Sequence, residues 1–187
     1  MNKYGFNIVK YAFLLIASLV FSAGCWATEA EDIFSLMHQR LSYMKDVALY
    51  KLDAKQPLLD ETREKVVLEK AMMRAREEGL SSVSIEGFVA AQMNAAKAIQ
   101  YRYMAEWMSR PPLTSPEKDL KTEIRPAILN LGTQITKKVA DYLKSGKEFS
   151  DALFPVFERT LNVENLTTED KKLLFGMLKE IRLKKNN

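Results

Sequence analysis

Beyond the first thirty or so positions, apolar residues recur three and four apart along nearly the whole chain. That spacing puts them on one face of a helix, and no segment shows the strict alternation of a half-buried strand. A first helix is predicted from about Glu31 to Lys51, with Phe34, Met37, Leu41, Met44 and Ala48 forming its buried seam. Lys55-Gln56-Pro57 breaks it, because proline cannot donate to the helical ladder. Asp60 is placed to cap a second helix that runs to about Glu77 and ends at Gly79. A third, the longest, starts near Ser84 and reaches Met108 before Arg110-Pro111-Pro112.

Residues 111–119 form a polar, proline-rich connection, and Pro126 suits the first turn of a fourth helix ending near Lys144, ahead of Gly146. A fifth helix is expected from Phe149 to Leu161, with Pro155 awkwardly inside it. A sixth should run from Thr168 to Lys184, capped by Thr167 or Thr168. The fold class that follows is all-α, a single-domain bundle of about six helices. Neither internal repeats nor low-complexity segments interrupt it. The nine methionines read mainly as core filling.

The amino-terminal segment has a different character. Lys3 and Lys10 precede an apolar run from Tyr11 to Phe21, and small residues follow around Ser22 to Ala27. That is the layout of a secretory signal peptide, and the run is short against the ~20 residues that span a bilayer. Residues 1–27 are therefore expected to be removed, leaving a domain at 28–187 that divides into a three-helix core at 28–110 and a helical extension at 120–187. Cleavage after Ala27 competes with a lipoprotein-type site at Ala23-Gly24-Cys25, where Ser22 stands in place of the usual large aliphatic residue. In the first case Cys25, the only cysteine, leaves with the signal; in the second it anchors the protein to a membrane. The expected product is periplasmic or secreted and makes no membrane contact after cleavage.

Removing two lysines and no acids lowers the formal charge from +4 to +2. So mild an excess gives no reason to expect a nucleic-acid partner. Metal chemistry is equally unsupported: His38 is the sole histidine and points roughly 200° around its helix from Arg40. No Ser-His-Asp or Cys-His nucleophile can be assembled. Lys171, Lys172, Lys179, Lys184 and Lys185 read as a solvated face of helices that buttress the rest or form a dimer contact.

Certain polar residues fall where a core should be. At 100° per residue, Arg40 and Lys51 lie roughly 60° and 40° to one side of Met37, flanking the seam three turns apart. Either could run its stem along the apolar face and reach water. On the third helix Gln92 and Gln100 lie about 40° either side of Ala96, at the centre of the stripe formed with Ile85, Val89 and Tyr103. Such amides must pair across helices or meet a ligand. Arg63 and Glu64 by themselves form an ordinary charged first turn. Arg125 precedes Pro126 at a helix start, where the macrodipole favours anions and a cation gains nothing unless an anion binds beside it.

Taken in order, Arg40, Lys51, Asp60, Arg63 and Glu64 read R-x10-K-x8-D-x2-R-E, and this pattern resembles the signature of the all-helical chorismate mutases. The run Ala91-Gln92-Met93-Asn94-Ala95-Ala96-Lys97-Ala98-Ile99-Gln100-Tyr101, ending in Trp107, is similar to the third helix of that family. The export signal, the extension beyond helix three and Arg125 resemble its secreted subclass. The resemblance implies conversion of chorismate to prephenate by a [3,3] rearrangement, with no cofactor and no metal. It implies that Arg40, Arg63 and Arg125 grip two substrate carboxylates, that Lys51 and Gln100 donate to the ether oxygen, and that Glu64 with the Asp60 backbone holds the ring hydroxyl. It also implies a homodimer with each pocket built within one chain. Ala96 departs from the family pattern of Ser or Thr, removing one hydroxyl contact. The competing reading is an exported helical binding protein whose arginines are surface charges.

Overall fold

In a computed structural model, residues 29–112 and 114–185 are described; the segment 1–27 read as a signal, with its Cys25, lies outside them. Helix α1 covers residues 29–42 and α2 Met44–Asp53. The predicted first helix is thus two helices meeting at a turn residue, Tyr43, with the ladder carried across it by Val47 N–H donating to Tyr43 O at 3.0 Å. All five residues of the predicted seam are buried along this pair. Lys55, in the left-handed region at φ +51°, turns the chain.

Helix α3, Glu61–Glu77, starts as predicted: the Asp60 carboxylate accepts from Arg63 N–H at 3.0 Å. It ends at Gly79, whose φ of +78° only glycine adopts without strain. Helix α4, Ser82–Ser109, is the spine of the molecule and packs against α2 and α3 and also α7 (Thr168–Lys179). Its inward face carries Ile85, Phe88, Ile99 and Tyr103 together with both glutamines, Gln92 and Gln100, each 6% exposed.

A short π-helical turn, Leu120–Ile124, precedes α5, Arg125–Lys144, and nothing in the apolar pattern announces it. Asp119 anchors it by accepting from Lys121 N–H at 2.8 Å and Thr122 N–H at 2.7 Å, while Glu123 accepts from Asp119 N–H at 2.8 Å. Leu120 and Ile124 are driven into the core beneath it.

Three expectations need correction. The fifth helix is only α6, Phe154–Thr160, after a 3-10 turn at Asp151–Leu153; Pro155 sits in its first turn, where a missing N–H costs nothing. Phe149 lies outside it and stacks on Tyr142 at 4.6 Å. Helix α7 stops at Lys179 rather than Lys184, because the tail turns back on the α3–α4 junction. There Arg182 O accepts from Ser81 N–H at 2.9 Å and Lys184 N–H donates to Gly79 O at 2.9 Å, making an antiparallel bridge between Leu80 and Leu183. The methionines divide: Met37 and Met44 are core, whereas Met73 and Met108 are exposed.

The core has two ends. At one, Phe34 of α1 meets Phe157 edge-on at 5.0 Å and Phe175 at 6.4 Å, so the carboxy-terminal helices close over α1. An ion pair, Arg102 to Asp170, and a hydrogen bond donated by Tyr103 O–H to the Glu164 carboxylate at 2.7 Å fasten the same region to α4. Thr167 and Asp170 form a capping box at the start of α7. Among the described residues no helix is long and apolar enough to cross a membrane. At the other end α2, α3, α4 and the start of α5 surround a polar pocket.

Candidate active site

The pocket measures about 140 Å³. Arg40 and Lys51 enter it from α1 and α2, Asp60, Arg63 and Glu64 from the start of α3, Gln100 from α4 and Arg125 from the start of α5. Every residue expected at the site from the sequence therefore lines one cavity, although Arg40 and Arg125 are 85 positions apart. Apolar side chains fill the gaps: Met44 and Val47 from α2, Val67 from α3, Met93 from α4, and Leu120 and Ile128 beside Arg125.

Arg40 and Lys51 do not snorkel to water. They are 9% and 8% exposed, so the seam of α1 and α2 carries them inward with it. Burial lowers the Arg40 guanidinium to about 10, still charged at neutral pH, and its Nη1 has no hydrogen-bond partner among the described residues. The Lys51 ammonium donates to Leu58 O at 2.7 Å, which leaves two N–H donors uncommitted. Its pKa is lowered first by desolvation; Asp60 opposes that shift, Arg125 adds to it, and the more weakly felt Glu64 raises it while Arg63 lowers it. Arg63 is lowered in the same way, by burial of its head group and by Arg125, with Asp60 opposing. The pocket is thus short of negative charge: its cations repel one another, and a dianion would relieve them.

Glu64 is committed elsewhere than the sequence suggested. Its carboxylate pairs with Lys97 Nζ at 2.7 Å, both side chains about one quarter exposed. Lys97 was overlooked because it lies off the apolar stripe of α4. Its position three residues before Gln100, on a neighbouring part of the helix surface, is the signal that could have found it.

Gln100 is buried as expected, but its amide faces the other way. Nε2 donates to Ala96 O at 3.0 Å and approaches Met44 Sδ at 3.4 Å, while Oε1 has no partner among the described residues. A half-turn of the amide exchanges the two and puts an N–H donor where the orphaned oxygen lies. Ala96 lines the pocket and supplies only a methyl group. His38 is on the outer side of α1, its Nε2 3.4 Å from Ser42 Oγ. Among the described residues no three His, Cys, Asp or Glu side chains gather as a metal site would require.

A pocket of five cations, one of them paired with Glu64, with a buried amide and two partly exposed carboxylates, built where five helices meet, can be set against known proteins. Residues 31–101, which contain every charged and amide residue of the site except Arg125, match the family profile of chorismate mutase type II. Across 172 residues the chain is 38% identical to a secreted chorismate mutase of Yersinia pestis, covering 91% of this chain and 92% of that one. The chain belongs to the chorismate mutase family. A monofunctional chorismate mutase of Enterobacter agglomerans is 36% identical over 177 residues, 95% of this chain and 97% of that one. The crystal structure of the Yersinia pestis secreted chorismate mutase superposes with a TM-score of 0.75 at 39% identity, over 81% of this chain and 97% of that chain. The protein is accordingly a chorismate mutase, an isomerase, and its all-α bundle is the architecture of that family.

Proposed function

We propose that this pocket converts chorismate to prephenate by holding the substrate in a folded, chair-like conformer and stabilising the charge that develops on its ether oxygen. The observation that carries the reading is the convergence of Arg40, Lys51, Arg63 and Arg125 on one small cavity, none of them paired with a carboxylate among the described residues. Arg40, Arg63 and Arg125 take the two carboxylates; planar guanidinium forks suit them and fix the angle between the side chain and the ring. As the carbon–oxygen bond lengthens and the new carbon–carbon bond forms, electron density moves onto the ether oxygen. Lys51, and Gln100 once its amide has turned, donate to that oxygen more strongly in the transition state than in the ground state.

Glu64 accepts from the ring hydroxyl together with the Asp60 backbone, and Lys97 holds the carboxylate in place. No group gains or loses a proton in the cycle, so positioning and electrostatics supply the whole acceleration. A millionfold effect needs ~8 kcal/mol, within reach of two or three fixed charged donors in a site shielded from water.

The chain is exported with loss of residues 1–27 and works as a homodimer with each pocket inside one subunit. The apolar segment after Lys10 and the likeness to the secreted chorismate mutase of Yersinia pestis support export. Mass spectrometry of the purified product distinguishes a free Thr28 from a diacylated Cys25, and sedimentation gives the oligomeric state. For the reaction itself, loss of chorismate absorbance is followed with purified protein and with Arg40→Ala and Arg125→Ala. Turnover by the wild type with sharply raised KM in both variants is expected; a wild-type protein that folds and leaves chorismate untouched overturns the assignment.

A further inference from the structure

A second cavity lies between α3, α4 and α5 and adjoins the first. It is the larger, about 440 Å³ against about 140 Å³. Arg40, Arg63 and Arg125 form the shared wall, whereas Lys51, Asp60, Glu64 and Gln100 face only the smaller pocket. Among the described residues Lys70, Arg74 and Lys121 bring its cations to six, and no aspartate or glutamate lines it. Among the described residues none of those six is paired with a carboxylate, although ion pairs occupy cations elsewhere on the molecule.

Two further atoms point to a ligand. Arg74 and Gln92 line this cavity, and just beneath its surface each keeps one buried atom, Nε and Oε1, with no hydrogen-bond partner among the described residues; the Gln92 side chain as a whole is more than nine-tenths buried. Buried polar groups are normally satisfied, and ones that are not call for an explanation. The Arg74 guanidinium suits a carboxylate through its terminal N–H groups, and a small shift of the side chain would bring Nε–H to the same anion; the Gln92 amide can receive a hydroxyl or, turned over, meet a carbonyl. The rest of the wall is apolar, with Val67, Ala71, Phe88 and Val89 among its members.

We propose that this cavity is a second binding site, for a carboxylate that carries an apolar ring and no ammonium group. The ring packs on the valines and Phe88, while the carboxylate meets Arg74 with Lys70 and Lys121 around it. An amino acid is disfavoured on the same grounds: its ammonium would face six cations and find no carboxylate. Because three arginines are common to both cavities, filling one alters the affinity of the other, and the coupling is reciprocal. The proposal goes beyond the rearrangement and does not depend on the roles given to Lys51 and Gln100.

The test is calorimetric titration of the purified exported protein with 3-phenylpropanoate and with phenylalanine, which has the same ring and carboxylate plus an ammonium. Expected are binding of 3-phenylpropanoate, at least about tenfold weaker binding of phenylalanine, and about tenfold loss for Arg74→Met, the effect of one charge-assisted contact. Arg74→Met should leave kcat/KM for chorismate within about twofold, a change too small to reflect a lost substrate contact. Lys51→Ala should leave 3-phenylpropanoate affinity unchanged. If Arg74→Met lowers the melting temperature, Lys70→Met at an exposed position repeats the measurement and should also weaken binding. No binding, equal binding of phenylalanine, insensitivity to both Arg74→Met and Lys70→Met, or loss of affinity in Lys51→Ala, which would place the ligand in the smaller pocket, each overturns the proposal.

Discussion

Replacing Lys51 with methionine separates what the site does from what holds the fold. The side chain is 8% exposed and its ammonium donates to Leu58 O at 2.7 Å. Methionine keeps the stem and removes the charge. Deleting one preorganised donor from a developing oxyanion costs ~2.7–4 kcal/mol in the transition state, or a fall in kcat of about 10²–10³. Stability should move little. The charge-assisted contact to Leu58 O is worth ~1.5–3 kcal/mol, but a buried ammonium costs several kcal/mol to desolvate, so the two nearly offset. Lys51 is also held below its ordinary 10.5, by desolvation and by Arg125 and Arg63 against the opposing pull of Asp60 and Glu64. Its removal relieves two repelling neighbours, and Leu58 is itself only half-buried, so its carbonyl can find water. Chorismate absorbance and a melting curve on the same preparation read both effects. A variant that melts with the wild type but keeps a third or more of its kcat would refute the role of Lys51; one that fails to fold would refute the estimate of how the two costs offset.

The pH profile should be flat from pH 5 to 8, because the ether contacts come from an ammonium and an amide, and decline only on the alkaline side. Lys51 has its folded pKa below the unfolded 10.5, so its charge is lost as pH rises through that lowered value, and kcat/KM falls with it. A steep decline of turnover between pH 5 and 7 would instead mark a carboxylic acid as donor and exclude Gln100. The Asp119 carboxylate is held below 3.8, chiefly by the N–H and hydroxyl of Thr122, so its contribution is present above that value and lost as pH falls through the folded pKa. Asp119→Ala should therefore loosen the π turn that sets Arg125, raising KM several-fold with a smaller effect on kcat; an unchanged KM would show that Pro126 alone suffices. Phe157→Ala empties the centre of the aromatic cluster, where Phe34 and Phe175 each lie 5.0 Å away. A loss of ~3–5 kcal/mol is expected, roughly 6–20 °C in melting temperature for a domain of this size, and a shift under 3 °C would show that the cluster repacks.

Much of this architecture is legible in the residues themselves. The seam from Phe34 to Ala48, the Asp60 cap and the turn at Gly79 are local, each decided by a few side chains and the backbone beside them. Arg40 and Lys51 show where that legibility ends. Their angular position places them at the edge of a stripe, but snorkelling outward and turning inward use the same stem, and only the helices packed across from them decide. Arg125 is legible as a cation at an unfavourable helix end; the π turn that aims it is not, because Leu120-Lys121-Thr122-Glu123-Ile124 would serve equally as an ordinary helical turn. The early end of α7 depends on pairing between residues about a hundred positions apart, Ser81 with Arg182 and Gly79 with Lys184, and carries no glycine or proline to mark it. The pairing of Lys97 with Glu64 is of the same long-range kind, and so is the cavity beside the site.

The central claim, that widely separated cations close on a single doubly charged guest, is tested most directly by a crystal structure with a bicyclic dicarboxylate analogue of the transition state. The account predicts both carboxylates held by Arg40, Arg63 and Arg125, and the ether oxygen within ~2.7–3.2 Å of Lys51 Nζ and of a Gln100 amide turned from its present contact with Ala96 O. An analogue bound away from Lys51, or a Gln100 amide still donating to its own helix, would contradict it.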